Sequence, residues 1–395
     1  MRFTLRGSAA TILAAMLVAS GASAAVSRQP AGAASAAASG PNVDWSLLGN
    51  SYDNTRFSSL TQINTSNVKQ LGLAWSMPEG PNLSGWETDP VVVNGVMYFT
   101  TATDQVRAVD AATGKMLWQF TPKVDFTRAI AGGGGGAPAN RGVTVANNTV
   151  YLLTFDNQLI ALQASTGEKL WKTVVADPAL GYSESSPVNY WNGLLFLGSE
   201  ESDAGLRGFV AAYDAKSGKQ VWRWFAVPLP GQGWMPKLGS HGGGDVWMPQ
   251  VIDTKTGILY FGTGNPSPDF NNSQRPGCNP WVNATVALNA RTGKFIWGHT
   301  EVCNDVWDYD SDPMPMLFNV TINGKSVRAV GHANKVGKFF IYDAATGKVL
   351  AESPYLTKYT VPHLKPSAKG SLVCSGDLGG IEYSAEAYSP QTHLA

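Results

Sequence analysis

Along this chain, hydrophobic and polar positions alternate over short stretches instead of recurring every three or four residues. Runs such as Gly95-Val96-Met97-Tyr98-Phe99 and Gly193-Leu194-Leu195-Phe196 have the period of two expected of half-buried β-strands. One longer pattern recurs. It reads Ala-Val-Asp-Ala-Ala-Thr-Gly-Lys-Met-Leu-Trp at 108–118 and Ala-Leu-Gln-Ala-Ser-Thr-Gly-Glu-Lys-Leu-Trp at 161–171. It returns as Ala-Tyr-Asp-Ala-Lys-Ser-Gly-Lys-Gln-Val-Trp at 212–222 and Ala-Leu-Asn-Ala-Arg-Thr-Gly-Lys-Phe-Ile-Trp at 287–297, with a weaker copy at 341–351 that ends in Ala. Each copy reads as a hairpin: a strand, a turn built from Asp or Asn with Thr-Gly, and a second strand leading into Trp. Most copies follow another alternating pair, so the repeat holds four strands. The turn glycines Gly114, Gly167, Gly218, Gly293 and Gly347 mostly lie a little over fifty residues apart. Four strands in that length predict the blades of an all-β propeller, ahead of a solenoid or sandwich, with each Trp packed flat between neighbouring blades.

Composition agrees with many short strands and tight turns: 43 Gly and 13 Trp stand in 395 residues. Lys plus Arg and Asp plus Glu both number 29, so the net charge is zero. Without a basic surplus to neutralise phosphates, nucleic acid is not expected as a partner.

Residues 1–24 read as an export signal. Arg2 and Arg6 precede an apolar run from Ala9 to Ala19, and Ala22-Ser23-Ala24 supplies small residues for cleavage. Residues 25–42 are rich in Ala, Ser and Gly and read as a disordered leader. The propeller domain is expected over 43–395, soluble in the periplasm and not membrane-spanning after cleavage. The cysteines are Cys278, Cys303 and Cys374. A Cys278–Cys303 bridge is possible in an oxidising compartment, leaving one thiol over. No C-x-x-C-H haem site and no C-x-x-C zinc pattern occurs. The run Gly132 to Gly136 lacks the Lys-Ser/Thr of a phosphate loop. His241, His299, His332, His363 and His393 show no ligand spacing and read as turn or surface residues.

Further motifs stand in order along the chain: Trp45, Gly49, Arg56-Phe57-Ser58, Gln62-Ile63-Asn64, Ala74-Trp75, Asn140-Arg141-Gly142, Gly205-Leu206-Arg207-Gly208, Gly262-Thr263-Gly264-Asn265-Pro266 and Asp305-Val306-Trp307-Asp308-Tyr309-Asp310. Together with the repeats, they resemble the quinoprotein alcohol dehydrogenases that depend on pyrroloquinoline quinone (PQQ). That resemblance implies an eight-bladed propeller with the cofactor at its mouth, here expected to be incomplete, with about five to six blades and the final ones lacking. A shorter closed propeller is the competing possibility. Cys374 fits an incomplete chain, since its family counterpart pairs with a cysteine farther downstream.

The resemblance also implies the chemistry. Arg141 and Lys335 would meet the acidic edge or quinone oxygens of PQQ, Trp247 would be its stacking floor, and Glu87 and Thr154 would hydrogen-bond it. Asp203, Asn265 and Asp308 would hold Ca²⁺ through oxygen alone, and Asp310 would add the ligand that favours a lanthanide. Asp308 would act as the base while hydride passes from an alcohol to the quinone C5, which the metal polarises. Electrons would leave to a periplasmic cytochrome c. Small-molecule and polymeric alcohols are both open as substrates. Departures from the family pattern are Gly135-Gly136 for its cysteine pair, Glu200 and Glu201 for small residues, Asp245 for Thr, and Glu382-Tyr383 for Asn-Trp. Extra carboxylates beside a trianionic cofactor should repel it unless a strongly charged metal or protonation offsets them. A protein-binding propeller scaffold and an inactive fragment of the enzyme are the alternative readings.

Overall fold

The computed structural model describes residues 44–80, 86–127, 138–200, 203–229, 242–360 and 364–395. The export signal, the leader and Gly132–Gly136 lie outside them, as do Glu201, His241 and His363. The described residues form part of a unit spanning Val43–Ala395, and among them stand five four-stranded antiparallel sheets, each built from consecutive strands. The first comprises β1 (Val91–Val93), β2 (Val96–Thr100), β3 (Val106–Asp110) and β4 (Met116–Phe120). Next come β5 (Thr144–Ala146), β6 (Thr149–Leu153), β7 (Gln158–Gln163) and β8 (Lys169–Val174). The third sheet has β9 (Asn189–Trp191), β10 (Leu194–Gly198), β11 (Phe209–Asp214) and β12 (Gln220–Phe225). The fourth has β13 (Val251–Asp253), β14 (Ile258–Gly262), β15 (Ala284–Asn289) and β16 (Phe295–Thr300). The fifth has β17 (Met316–Ile322), β18 (Lys325–Ala333), β19 (Phe339–Asp343) and β20 (Val349–Glu352). The first strands of the blades lie toward one another, with β1 against β5, β5 against β9 and β13 against β17. This is a propeller, as the repeat predicts.

The repeated motif makes the hairpin between the third and fourth strands through local chemistry. Asp110 Oδ1 accepts from the Thr113 N–H at 2.8 Å and its hydroxyl at 2.7 Å. Asp214 does the same for Ser217, and Asp343 for Thr346. The following glycine sits at positive φ, between 67° and 74° in the five copies. It also has a packing role. A Cβ on Gly167 would lie 2.6 Å from the Trp118 ring, and one on Gly293 would lie 2.6 Å from Trp222. Each motif Trp therefore lies on the turn glycine of the next blade. Its indole N–H reaches a carbonyl there: Trp118 to Ala164 at 2.8 Å, Trp222 to Ala290 at 3.0 Å, and Trp297 to Ala344 at 2.9 Å. Trp75 repeats the contact on Gly114 and Ala111, at 3.1 Å.

The core lies between blades. Val150, Leu152 and Ile160 pack against the first blade, and Leu195, Phe209 and Ala211 against the second. Phe261 and Val286 pack against the third blade, and Leu317 and Tyr342 against the fourth. Burial of one inter-blade Trp, at about 25 cal/mol per Å² over roughly 150–250 Å², contributes on the order of 4–6 kcal/mol. The bridge Cys278–Cys303 is present, and Cys374 is a free, half-buried thiol. Among the described residues no helix is long and apolar enough to cross a membrane.

Candidate functional site

A cavity of about 460 Å³ opens at one end of the blades. Its walls come from two kinds of loop. Those leading into the first strands carry Glu87 (before β1), Arg141 (before β5), Asp245 and Trp247 (before β13), and Asp308 and Asp310 (before β17). Those joining second to third strands carry Glu200 and Asp203 (after β10), Asn265 (after β14) and Lys335 (after β18). Leu378, Glu382 and Tyr383 complete the lining. Loops at one end of a rigid scaffold are where a fold places chemistry.

Main-chain contacts fix the loops. Gly243 has φ +81°, and a Cβ on it would lie 2.1 Å from the Asn265 carbonyl, so only glycine allows that approach. The Gly244 N–H donates to the same carbonyl at 2.8 Å. Asp305 shapes the turn before Asp308, accepting from the N–H groups of Trp307 at 2.9 Å and Tyr309 at 2.8 Å. Asp308 itself has φ +61°, a conformation non-glycine residues adopt chiefly where surrounding structure imposes it, often at functional sites. Arg275 is fully buried and donates to the carbonyls of Pro268 (2.8 Å), Asp269 (3.0 Å) and Asp305 (2.6 Å), tying the loop after Asn265 to the Asp308 turn.

The polar side chains form two groups. In the first, Arg141 pairs with Glu87 at 2.8 Å and lies 3.8 Å from Glu200. It also bonds the Ser185 hydroxyl, which donates to Glu200 at 3.0 Å. The Arg141 guanidinium stands 5.0 Å from the ring centres of both Trp247 and Tyr383, which meet edge to face at 5.9 Å. In the second, the Lys335 ammonium bridges Asp308 at 3.1 Å and Asp310 at 2.8 Å. Asp310 accepts from the Asn265 N–H at 2.6 Å, and the Asn265 amide donates to Asp203 at 3.2 Å and Asp269 at 2.8 Å. Direct contacts thus connect Asp203, Asn265, Asp310, Lys335 and Asp308. Among the described residues, no three acidic, His or Cys side chains already stand at spacing for one metal ion.

Crowding of like charge shows in the acids. Burial, then Asp310, pushes the Asp308 carboxyl up to about 9 against the pull of Lys335. Burial and Asp203 push Asp269 up to about 7. Burial raises Glu200 and Glu382, with Arg141 opposing in the first and Lys335 in the second. Burial works against the Lys335 ammonium, but Asp310 and Asp308 hold it above its ordinary range.

Of the residues singled out in the sequence, Glu87, Arg141, Asp203, Trp247, Asn265, Asp308, Asp310 and Lys335 line this one cavity. The departures Glu200, Asp245, Glu382 and Tyr383 line it too. Thr154 does not. It follows β6 as Lys335 follows β18, but its hydroxyl donates to Asp156 at 2.6 Å and accepts from the Gln158 N–H at 3.0 Å within its own turn. His332 overturns its expected place in a turn or on the surface. It is fully buried, near Glu301 at 3.1 Å and the Pro313 carbonyl at 2.9 Å. Glu301 also accepts from Thr285 (2.6 Å), Tyr342 (2.7 Å) and Asn334 (2.9 Å). His299 is half-buried against Phe340 and Tyr342, and His393 is exposed. Asp269, Arg275 and the Glu301 cluster match no motif in the sequence; their place at the site rests on contacts with distant residues as well, Asp203 through the Asn265 amide, the Asp305 carbonyl, and His332 with Thr285, Tyr342 and Asn334.

Residues 45–355 match the family described as PQQ, glucose/ethanol/alcohol dehydrogenase, β-propeller domain. The dehydrogenase subunit of the quinone-dependent alcohol dehydrogenase of Gluconobacter oxydans is 38% identical over 89% of this chain and 52% of its own length. The structure of quinohemoprotein alcohol dehydrogenase from Comamonas testosteroni superposes with a TM-score of 0.79 at 31% identity, over 89% of this chain and 56% of that one. That of a europium-containing methanol dehydrogenase gives 0.83 at 30% identity, over 89% and 67%. The chain spans about half the length of the curated relatives it matches.

Proposed function

We propose, for a chain that belongs to this PQQ β-propeller family, that it supplies the cofactor and metal face of a periplasmic dehydrogenase oxidising an alcohol to an aldehyde or ketone. The observation that carries this reading is the continuous contact path from Asp203 through Asn265, Asp310 and Lys335 to Asp308, in one cavity with Trp247 and Arg141.

The residues suit the cofactor and its ion. A volume of about 460 Å³ is within the range of small-molecule sites. Trp247 offers a flat apolar face, and Arg141 and Lys335 are the cations an acidic planar molecule needs. Asp203, Asn265, Asp308 and Asp310 are hard oxygen donors, suited to Ca²⁺ or a lanthanide and unsuited to copper or structural zinc. Among the described residues the lining carries seven carboxylates and two cations, a balance that a multivalent ion offsets in favour of a polyanion. PQQ supplies the two-electron acceptor when bound, and the ion supplies Lewis acidity.

The chain's own residues do the rest. Lys335 holds Asp308 and Asp310 together. A cation at these acids favours ionised Asp308, which then accepts the proton of the substrate hydroxyl. The Asp305 bonds and the backbone of the Asp308 turn aim that carboxylate. The electrons then pass on to a periplasmic cytochrome c.

Asp308→Asn tests the assignment. It should lower alcohol turnover about 10²–10⁴-fold, the usual contribution of a general base, while PQQ still quenches Trp247 fluorescence. Turnover within threefold of wild type excludes Asp308 as the base.

A further inference from the structure

We propose that Glu301 and His332 are positioning residues of the reaction: as one buried clamp they hold the segment that carries Asp308 and the turn that carries Lys335 against each other. This rests on the proposed function and adds to it the residues that keep the base and its lysine in register.

Neither residue lines the cavity, and neither side chain has any exposed area. Burying two ionisable groups is costly even when they are paired, and a well-packed apolar pair often serves a fold equally well. Stability alone therefore does not account for them. The Glu301 carboxylate meets Thr285 (2.6 Å), Tyr342 (2.7 Å) and His332 Nδ1 (3.1 Å) through Oε1, and the Asn334 amide (2.9 Å) through Oε2. His332 Nε2 lies 2.9 Å from the Pro313 carbonyl, which can only accept, so that nitrogen donates.

These bonds lead to the site. Glu301 directly follows β16 and Pro313 stands just ahead of β17, so the two bracket the segment that holds Asp308 and Asp310. His332 touches both brackets and closes that segment at its base. From Glu301 Oε2 the path runs to Asn334, the residue before Lys335, whose carbonyl accepts from the Gly337 N–H at 2.9 Å and so forms the turn. The Lys335 N–H donates to the Asp310 carbonyl at 3.0 Å, and its ammonium reaches Asp308 at 3.1 Å. The Glu301 main chain makes a third link. Its N–H donates to the Asn283 carbonyl at 2.7 Å, and the Asn283 amide donates at 3.0 Å to Asp305, which shapes the Asp308 turn.

The two carboxylate oxygens are not equivalent. Oε1 has three partners, so losing Tyr342 leaves two. Oε2 has Asn334 alone among the described residues. The link to Lys335 can therefore be cut without touching the Glu301–His332 pair.

Asn334→Ala cuts that link, Glu301→Gln weakens the clamp while keeping its shape, and Tyr342→Phe removes a bond to Glu301 that leads to no site loop. The first readout needs neither cofactor nor substrate. It is the rate at which sulfo-N-hydroxysuccinimide acetate modifies Lys335 in the full chain, read by peptide mass spectrometry against the exposed Lys348. With 5% of its side chain exposed and two carboxylates paired to it, Lys335 should react slowly in wild type. Relative to Lys348 it should react at least about tenfold faster in Asn334→Ala and Glu301→Gln, the effect of losing a hydrogen bond to a charged group, and within about threefold of wild type in Tyr342→Phe. The first two effects should not add in the double variant, because both act through one bond. In the chain loaded with PQQ and La³⁺, the same two variants should lower kcat while KM holds, since the base is displaced and the substrate's walls are not. A Lys335 that stays slow in both variants overturns the clamp, as does equal acceleration by Tyr342→Phe. Should Glu301→Gln fail to fold, Asn334→Ala, which leaves the buried pair intact, carries the test. If loaded wild type oxidises no alcohol, the dehydrogenase reading fails, and acetylation alone decides whether Glu301 and His332 place Lys335.

Discussion

Lys335→Met removes the cation that joins two carboxylates of the site. The ammonium is 3.1 Å from Asp308 and 2.8 Å from Asp310, with only 5% of its side chain exposed. At an effective dielectric of about 20, two full unit charges at these distances attract by on the order of 5–6 kcal/mol, a limit that Asp308 falls short of because its carboxyl is pushed up to about 9. Desolvation of the lysine cancels much of this. Removing one partner of a buried pair costs about 3–5 kcal/mol because the remaining charge is uncompensated. Protonation of Asp308, already pushed up to about 9, keeps the cost at the low end of that range. For a protein of this size, about 3 kcal/mol corresponds to roughly 4 °C in Tm. The assay is thermal and urea unfolding of wild type and variant, in chelator and then with La³⁺. In chelator the variant should be less stable by about 3 kcal/mol. With La³⁺ the gap should close, because the ion restores positive charge beside the same two acids. A gap under 1 kcal/mol in chelator, or a gap unchanged by La³⁺, refutes the reasoning.

Three further expectations concern packing, loop approach and pH. Trp118→Ala should cost about 3–5 kcal/mol in urea unfolding, because the ring fills the space over Gly167, whereas Leu170→Ala at an exposed position should change little. Gly243→Ala places a Cβ 2.1 Å from the Asn265 carbonyl, so Tb³⁺ affinity, read by sensitised luminescence, should fall at least about tenfold with the fold retained by circular dichroism. Burial opposes the charge on His332, but Glu301 raises its proton affinity overall; its contribution is therefore full below the unfolded value near 6.5 and is lost as pH rises through the higher folded value. The stability difference between wild type and His332→Gln should accordingly narrow as the pH is raised above neutrality, measured by Tm across pH 5–10, and a difference that widens would contradict it.

What the sequence revealed was local. The Asp-x-x-Thr-Gly turns and their Trp announced the blades because each turn is closed by its own residues, as Asp110 and Thr113 show. Asp308, Lys335 and Asn265 stand out because their neighbours in sequence resemble the family's pattern, and the fold brings the three into one cavity. Thr154 stands in the equivalent loop to Lys335, yet its hydroxyl is taken by Asp156 and Gln158 two and four residues on, a local turn that the family resemblance does not reveal. His332 gave no spacing signal since its partners, Glu301 and the Pro313 carbonyl, come from other elements. Asp269 stands four residues beyond Asn265 in a stretch that matches no motif. Its meaning came only from the amide that touches both it and Asp203.

The most direct test of the central claim is a PQQ titration of the full chain, followed by tryptophan quenching, with chelator, Ca²⁺ and La³⁺ in turn. A flat cofactor over Trp247, in a cavity whose acids need a multivalent cation, predicts saturable quenching with an ion present. It predicts little quenching in chelator and a reduced amplitude in Trp247→Phe. Absence of saturable quenching with either ion would contradict the assignment of this cavity to PQQ.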